Sequence, residues 1–193
     1  KYGLIKVARE EADRLNHLIS NLLDESRLEA GAVILSRQPL EIRDLVTGAL
    51  EQLSSRASSR PVNFDIPEEI QFITVDFGLI VQALANVLDN AIKYSPDGSP
   101  IEVQARSQNG DIVIKIADQG IGIPEQDFQK IFDKFYRIKR PHNVPGSGLG
   151  LAISKGIIEA HGGSIKALRG PNGGTTIEII LPAGPGNEGV SHG

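Results

Sequence analysis

The sequence predicts an α+β fold: a two-layer α/β sandwich whose mixed, largely antiparallel sheet carries helices on one face, preceded by a long helix. Three observations lead there. Apolar residues recur at helical spacing in several separate segments. Two pairs of alternating segments are joined by turn chemistry, Asn109-Gly110 in one and "PNGG" at 171–174 in the other. Strands and helices mix without the strict alternation of a doubly wound parallel sheet.

Residues 3–30 read as one helix. Ile5, Ala8, Ala12, Leu15, Ile19, Leu22 and Ser26 alternate spacings of three and four, a heptad seam that one helix cannot bury alone. Gly31 follows the last turn as a helix stop. "VILSRQPLEI" (33–42) reads as a strand and "RDLVTGALEQLSSRA" (43–57) as a helix. "PVNFDIP" and "QFITV" are short strands, and Asp76 is placed to cap the helix that follows. "PIEVQARSQ" and "DIVIKIADQ" form a hairpin, "EQDFQKIFDKF" (125–135) a short helix, and "GLGLAISKGIIEAH" (148–161) another helix. "SIKALRG" and "TTIEIILP" make the last hairpin. Residues 183–193 read as a disordered tail. The domains expected are therefore 1–31, an incomplete helical hairpin; 32–182, the main domain; and 183–193.

Composition narrows the function classes. The 193 residues are 40% hydrophobic and 23% charged, which suits a folded core. Acidic residues outnumber basic ones 24 to 20, so there is no electrostatic footprint for nucleic acid. Absence of cysteine excludes disulfides and thiolate metal sites. No apolar run approaches the ~20 residues of a membrane span. The opening "KYGLIKVAREEADR", already in helical rhythm and without Met, reads as a piece of a longer parent that is free to be membrane-anchored.

Asn86 and Asn90 interrupt an apolar helix at i, i+4, each costing roughly 0.6 kcal/mol against Ala. Their amide oxygens are hard, neutral ligands, suited to Mg²⁺ that arrives with the negative charge of a nucleotide. Lys93, three residues on, adds a point charge for phosphate. "ADQGIGIP" (117–124) ends a strand with Asp118, Gly120 and Gly122, an acceptor-only carboxylate where backbone can approach a planar ligand. Such a group selects the amino edge of adenine over the carbonyl of guanine. "PGSGLGLAI" (145–153) puts Gly146, Gly148 and Gly150 at a helix start, an anion site. It matches neither a Rossmann nor a Walker loop.

In this order the segments resemble the ATP-binding catalytic domain of bacterial sensor histidine kinases, in the GHKL superfamily they share with gyrase B and Hsp90. Residues 84–95 match the N box, 118–122, 146–150 and 173–176 the three Gly boxes, and "FDKFYR" at 132–137 the Phe box. The likeness covers about residues 33–182. It implies the Bergerat fold, with ATP and Mg²⁺ as cofactors. By resemblance Asn86 and Asn90 hold Mg²⁺, Lys93 meets phosphate, Tyr94 packs by adenine and Asp118 takes its amino group. Gly120, Gly122, Phe132, Arg137, Gly146, Gly148, Leu149, Gly150 and Thr175 complete the ATP-binding set. Residues 133–147 become a lid, with 138–147 expected to order around phosphate. Within the family, "VPGSGLGLAI" and the short lid resemble the potassium-responsive KdpD type.

The resemblance further implies a response regulator as partner and a homodimer formed through the parent's helical hairpin, of which 1–31 is the second helix. It places the domain on the cytoplasmic side of the bacterial inner membrane. One departure stands out. The family's acceptor His is followed by an acid, whereas His17, His142, His161 and His192 precede Leu, Asn, Gly and Gly. The chain therefore carries no acceptor of its own. His161 closes a helix, where an imidazolium would suit the dipole, but packing or capping is the role expected of it. The alternatives are a conformational ATPase, which lacks its catalytic Glu among Gln82, Ala83, Leu84 and Ala85, and an anti-sigma Ser kinase, which lacks the heptad helix.

Overall fold

The computed structural model describes residues 34–53, 60–70, 72–138 and 146–183. Among them run β1 (Arg37–Glu41), α1 (Ile42–Gln52), β2 (Val62–Asp65), β3 (Phe72–Asp76), α2 (Phe77–Tyr94), β4 (Ile101–Gln108) and β5 (Asp111–Ala117). After two 3-10 turns follow α3 (Gly150–Ala160), β6 (Ser164–Arg169) and β7 (Thr175–Pro182). The main sheet has the order β2-β4-β5-β7-β6, and β1 pairs with β3 in a separate two-stranded ribbon. Only the β2–β4 pair of the main sheet is parallel.

Period-two alternation sorts the sheet faces. Ile101, Val103 and Ala105 of β4, Ile112, Ile114 and Ile116 of β5, and Ile177, Ile179 and Leu181 of β7 are buried. They form one core with Leu84, Leu88, Ile153 and Ile157 of α2 and α3. Each such Val, Leu or Ile side chain contributes about 1.5–3 kcal/mol by leaving water. The opposite face is mixed, with Val113 and Ile180 beside a charged trio in which Glu178 of β7 receives Lys166 at 2.7 Å and Lys115 at 3.1 Å from the strands on either side. The sheet therefore carries its helices on one face, as the sequence predicts.

The turns follow their residues. Asn109 (φ 55°) and Gly110 (φ 84°) both take the left-handed conformation, the two-residue link that matches strand twist. The Asp76 side chain accepts the Leu79 N–H at 3.1 Å, capping α2 as expected. Two expectations need correction. Among the described residues, the strand forecast over 33–42 is paired only from Arg37 to Glu41. The single helix forecast over 125–135 is two 3-10 turns, Glu125–Asp127 and Lys130–Phe132. Phe128, Ile131, Phe132 and Phe135 do have helical spacing, but the Phe135 N–H goes to the Gly148 carbonyl at 2.9 Å instead of back along a helix. Asp127 is buried beneath the Tyr136 hydroxyl, which donates to it at 2.8 Å. The helix over 3–30, residues 139–145 of the lid and the tail from 184 lie outside the described residues. Among the described residues no helix is long and apolar enough to cross a membrane.

Candidate nucleotide site

The second half of α2 presents Asn86, Asn90, Lys93 and Tyr94 at the partly exposed margin of an otherwise buried helix. The first turn of α3 is docked against it. The Ser154 hydroxyl, wholly buried, lies 3.0 Å from both the Ala83 and the Gly150 carbonyls. Leu149, also wholly buried, pins the start of α3 into the core. Gly150 then sits so close to Asn86 that a Cβ there would stand 3.3 Å from Asn86 Oδ1. Among the described residues no side chain accepts the N–H groups of Gly150 to Ala152 at the start of α3, and the Leu149 N–H just before them donates to Ser147 Oγ at 3.3 Å, so the opening turn can receive an anion. Asn86 Nδ2 is buried without a hydrogen-bond partner. Lys93 pairs with Asp89 one turn back, a partner foreshadowed by the Asp-x-x-x-Lys spacing and overlooked in the sequence reading.

A second cluster forms where β5 ends. Asp118 Oδ1 accepts the Gly120 N–H at 2.7 Å and the Thr175 N–H at 3.1 Å, and the Asp118 N–H donates to the Thr175 carbonyl at 2.8 Å. Both bonds to the carboxylate fall on one oxygen, so Oδ2 is left for a ligand. Burial pushes the Asp118 acid above its usual 3.8, against the pull of the two backbone N–H groups. The glycines around it are needed for close approach of backbone to backbone. A Cβ on Gly120 would lie 2.6 Å from the Tyr94 carbonyl, and one on Gly122 (φ +67°) 2.2 Å from the Gly173 carbonyl. The Tyr94 carbonyl in turn accepts the Ile121 N–H at 3.3 Å, joining the end of α2 to the Asp118 loop.

Against known proteins, residues 76–185 match the model of the histidine kinase-, DNA gyrase B- and HSP90-like ATPase family. The chain belongs to this family. The sensor protein KdpD of Escherichia coli is 37% identical over 174 residues, 90% of this chain and 19% of that protein. Sensor histidine kinase WalK of Bacillus subtilis is 32% identical over 92% of this chain and 30% of that protein. The chain thus spans about a fifth to a third of these relatives. Among solved structures, the mycobacterial sensor histidine kinase MprB superposes with a TM-score of 0.66 at 32% identity, covering 76% of this chain and 97% of that one. Full-length ShkA in complex with AMPPNP gives 0.80 at 26%, covering 94% of this chain and 38% of the other.

In this ATPase-family domain, half of the predicted set meets in two groups. Asn86 and Gly150 touch, and Tyr94, Asp118, Gly120 and Thr175 form one backbone-linked cluster with Gly122 beside it. Gly148 (φ +75°) packs on Phe135, whose own φ is +61°. Phe132 and Leu149 place their side chains in the core, so what they lend the site is the position of their backbone. Arg137 is exposed and Gly146 faces open space. Ser154 and Arg60 carry no sequence signal of their own.

Proposed function

We propose that the chain is the ATP-binding kinase module of a two-component sensor histidine kinase. It would transfer the γ-phosphoryl group of ATP to a histidine outside this sequence, for relay to a response-regulator aspartate. In this reading the parent dimerises through the hairpin that contains residues 1–31, and the domain works on the cytoplasmic side of the inner membrane. The observation that carries the proposal is the Asp118 carboxylate, fixed through one oxygen, in a loop joined to the end of the same helix α2 whose Asn86 meets Gly150 at the start of α3. Asp118 Oδ2 accepts the adenine amino group, and guanine would present a carbonyl there instead. The N–H groups opening α3, with Lys93, receive the phosphates.

The donor set fits Mg²⁺. Asn86 and Asn90 offer neutral amide oxygens, while the buried Asn86 Nδ2, a donor, would suit an acceptor such as a phosphate oxygen. A metal there would keep oxygen ligands from the triphosphate, and bound it would supply charge neutralisation. The chain's own contribution to phosphoryl transfer is then positioning and exclusion of water.

Calorimetry with ATP, ADP and GTP, with and without Mg²⁺, tests the reading. Adenine nucleotides should bind, GTP should bind at least about tenfold more weakly, and γ-labelled ATP should leave no acid-labile label on this chain. Extending the chain toward its parent's N-terminus until a His-acid motif is included should restore labelling. Absence of adenine-nucleotide binding, or label on the chain itself, would refute it.

A further inference from the structure

Helix α2 ends on Ser95-Pro96. Ser95 is extended (φ −104°, ψ 150°), Pro96 has no N–H, and no left-handed glycine closes the last turn. The final carbonyls therefore need donors from elsewhere. One residue from the far end of the preceding segment supplies them. Arg60 Nη2 donates to the carbonyls of Ile92 at 2.9 Å and Ser95 at 3.1 Å. Its Nη1 donates to the Pro96 carbonyl at 2.7 Å and to Ser99, at 2.9 Å on the hydroxyl and 3.4 Å on the carbonyl. The side chain is only 4% exposed. Asp97, fully exposed, is its nearest acid at 3.7 Å, so the buried charge is met chiefly by carbonyl dipoles at the negative end of a helix.

This turn carries the site. Upstream, α2 is held by Leu84, Leu88 and Ile92 in the core. Asn90, Lys93 and Tyr94 occupy its half-exposed margin, and the Tyr94 carbonyl sets the Asp118 loop through the Ile121 N–H. Arg60 is itself anchored, since the next carbonyl, that of Pro61, accepts the Ile101 N–H at 3.0 Å where β2 begins to pair with β4. We propose that Arg60 is a positioning residue of the nucleotide site, fixing the last turn of α2, and with it Asn90, Lys93 and the Tyr94 carbonyl, against the 118–122 loop. This rests on the reading of that site as nucleotide-binding. A planar fork reaching four residues at once is a task for Arg, and the single ammonium of Lys does not reproduce it.

The test compares the chain with Arg60→Lys and Arg60→Met. Thermal melts fix a temperature at which each variant is fully folded, and ADP affinity by calorimetry and amide exchange are read there, so lost stability by itself moves neither. Both variants should bind ADP about tenfold more weakly or worse, with Lys recovering little. Exchange should quicken at 91–94 and at Ile121 but not within α3. Arg60→Lys keeps the stem and the charge and carries the test should Arg60→Met not fold. Folded variants with ADP affinity within about twofold of the parent chain and unchanged exchange at Ile121 would overturn the proposal. Should the unsubstituted chain give no heat with ADP, the nucleotide reading fails separately, and unchanged exchange in Arg60→Lys would still refute the positioning role.

Discussion

Asp118 is oriented by main chain alone, through two N–H groups that belong to Gly120 and Thr175. An Asn in its place can keep its oxygen on those two donors, which turns its NH₂ toward the position of Oδ2. Adenine's amino group would then meet a donor, and guanine's carbonyl would be welcomed. Asp118→Asn should therefore weaken ATP by about 1–3 kcal/mol and narrow the ATP-over-GTP preference. Folding should suffer little, because burial already disfavours the charged form at this position. The raised pKa also means that ATP affinity falls at a higher pH than for an ordinary Asp. Calorimetry across acid pH checks both, and unchanged ATP affinity in the mutant would remove Asp118 from the adenine contact. The acceptor-only chemistry of Asp118 was legible in the sequence. The purpose of its glycines was not: spacing suggested room for a ligand, whereas Gly120 and Gly122 make room for the Tyr94 and Gly173 carbonyls, contacts between segments far apart in the chain.

Elements were readable where local chemistry decides them. The Asn109-Gly110 turn, the Asp76 cap and the alternating strands obey short-range rules, and all appear in the structure. Residues 125–135 obey the same helical spacing yet fold otherwise, because a remote carbonyl, Gly148, claims the Phe135 N–H. The docking of α3 on α2 is equally non-local. Ser154 is an unremarkable residue in the sequence, but its wholly buried hydroxyl spans the two helices at the level of Gly150 and Ala83. Ser154→Ala should cost about 0.5–1.5 kcal/mol, the net worth of one hydrogen bond, since the Ala83 carbonyl sits within a helix and keeps its ladder partner. Ser154→Val should cost more, as a larger group meets a packed interface. Urea denaturation of the two variants gives the order, and a Val variant as stable as the Ala one would show that this interface is loose.

At the scale of the molecule, the ribbon of β1 and β3, the cap of α2 and the end of α3 converge on Asp76. Its carboxylate accepts the Ser36 N–H at 2.9 Å and the Leu79 N–H at 3.1 Å, while its own N–H donates to His161 Nε2 at 3.1 Å. His161 is 3% exposed, and its Nδ1 lies 2.8 Å from the Ile157 carbonyl. The pair of contacts assigns the tautomer: Nδ1 carries the proton and donates, and Nε2 accepts. An imidazolium would set a second donor against the Asp76 N–H, so the ring packs neutral and the dipole at the end of α3 does not charge it. Burial lowers its pKa from 6.5, with Arg37 adding to that, against the Ile157 carbonyl and Asp76. Between 6.5 and the depressed folded value the unfolded chain binds more protons, so stability is full above 6.5 and declines as pH falls through that window. One such proton gives a slope of at most about 1.4 kcal/mol per pH unit. Asp118, with its raised pKa, acts in the opposite sense at lower pH, so the contribution of His161 must be read as a difference. His161→Phe keeps a ring of similar size and removes both polar contacts. It should lower stability at neutral pH by about 1–3 kcal/mol through the orphaned Asp76 N–H. It should also flatten the decline between pH 7 and 5. Urea unfolding of both proteins across that range is the measurement. Parallel pH curves would show that the buried imidazole is not what makes the fold acid-sensitive.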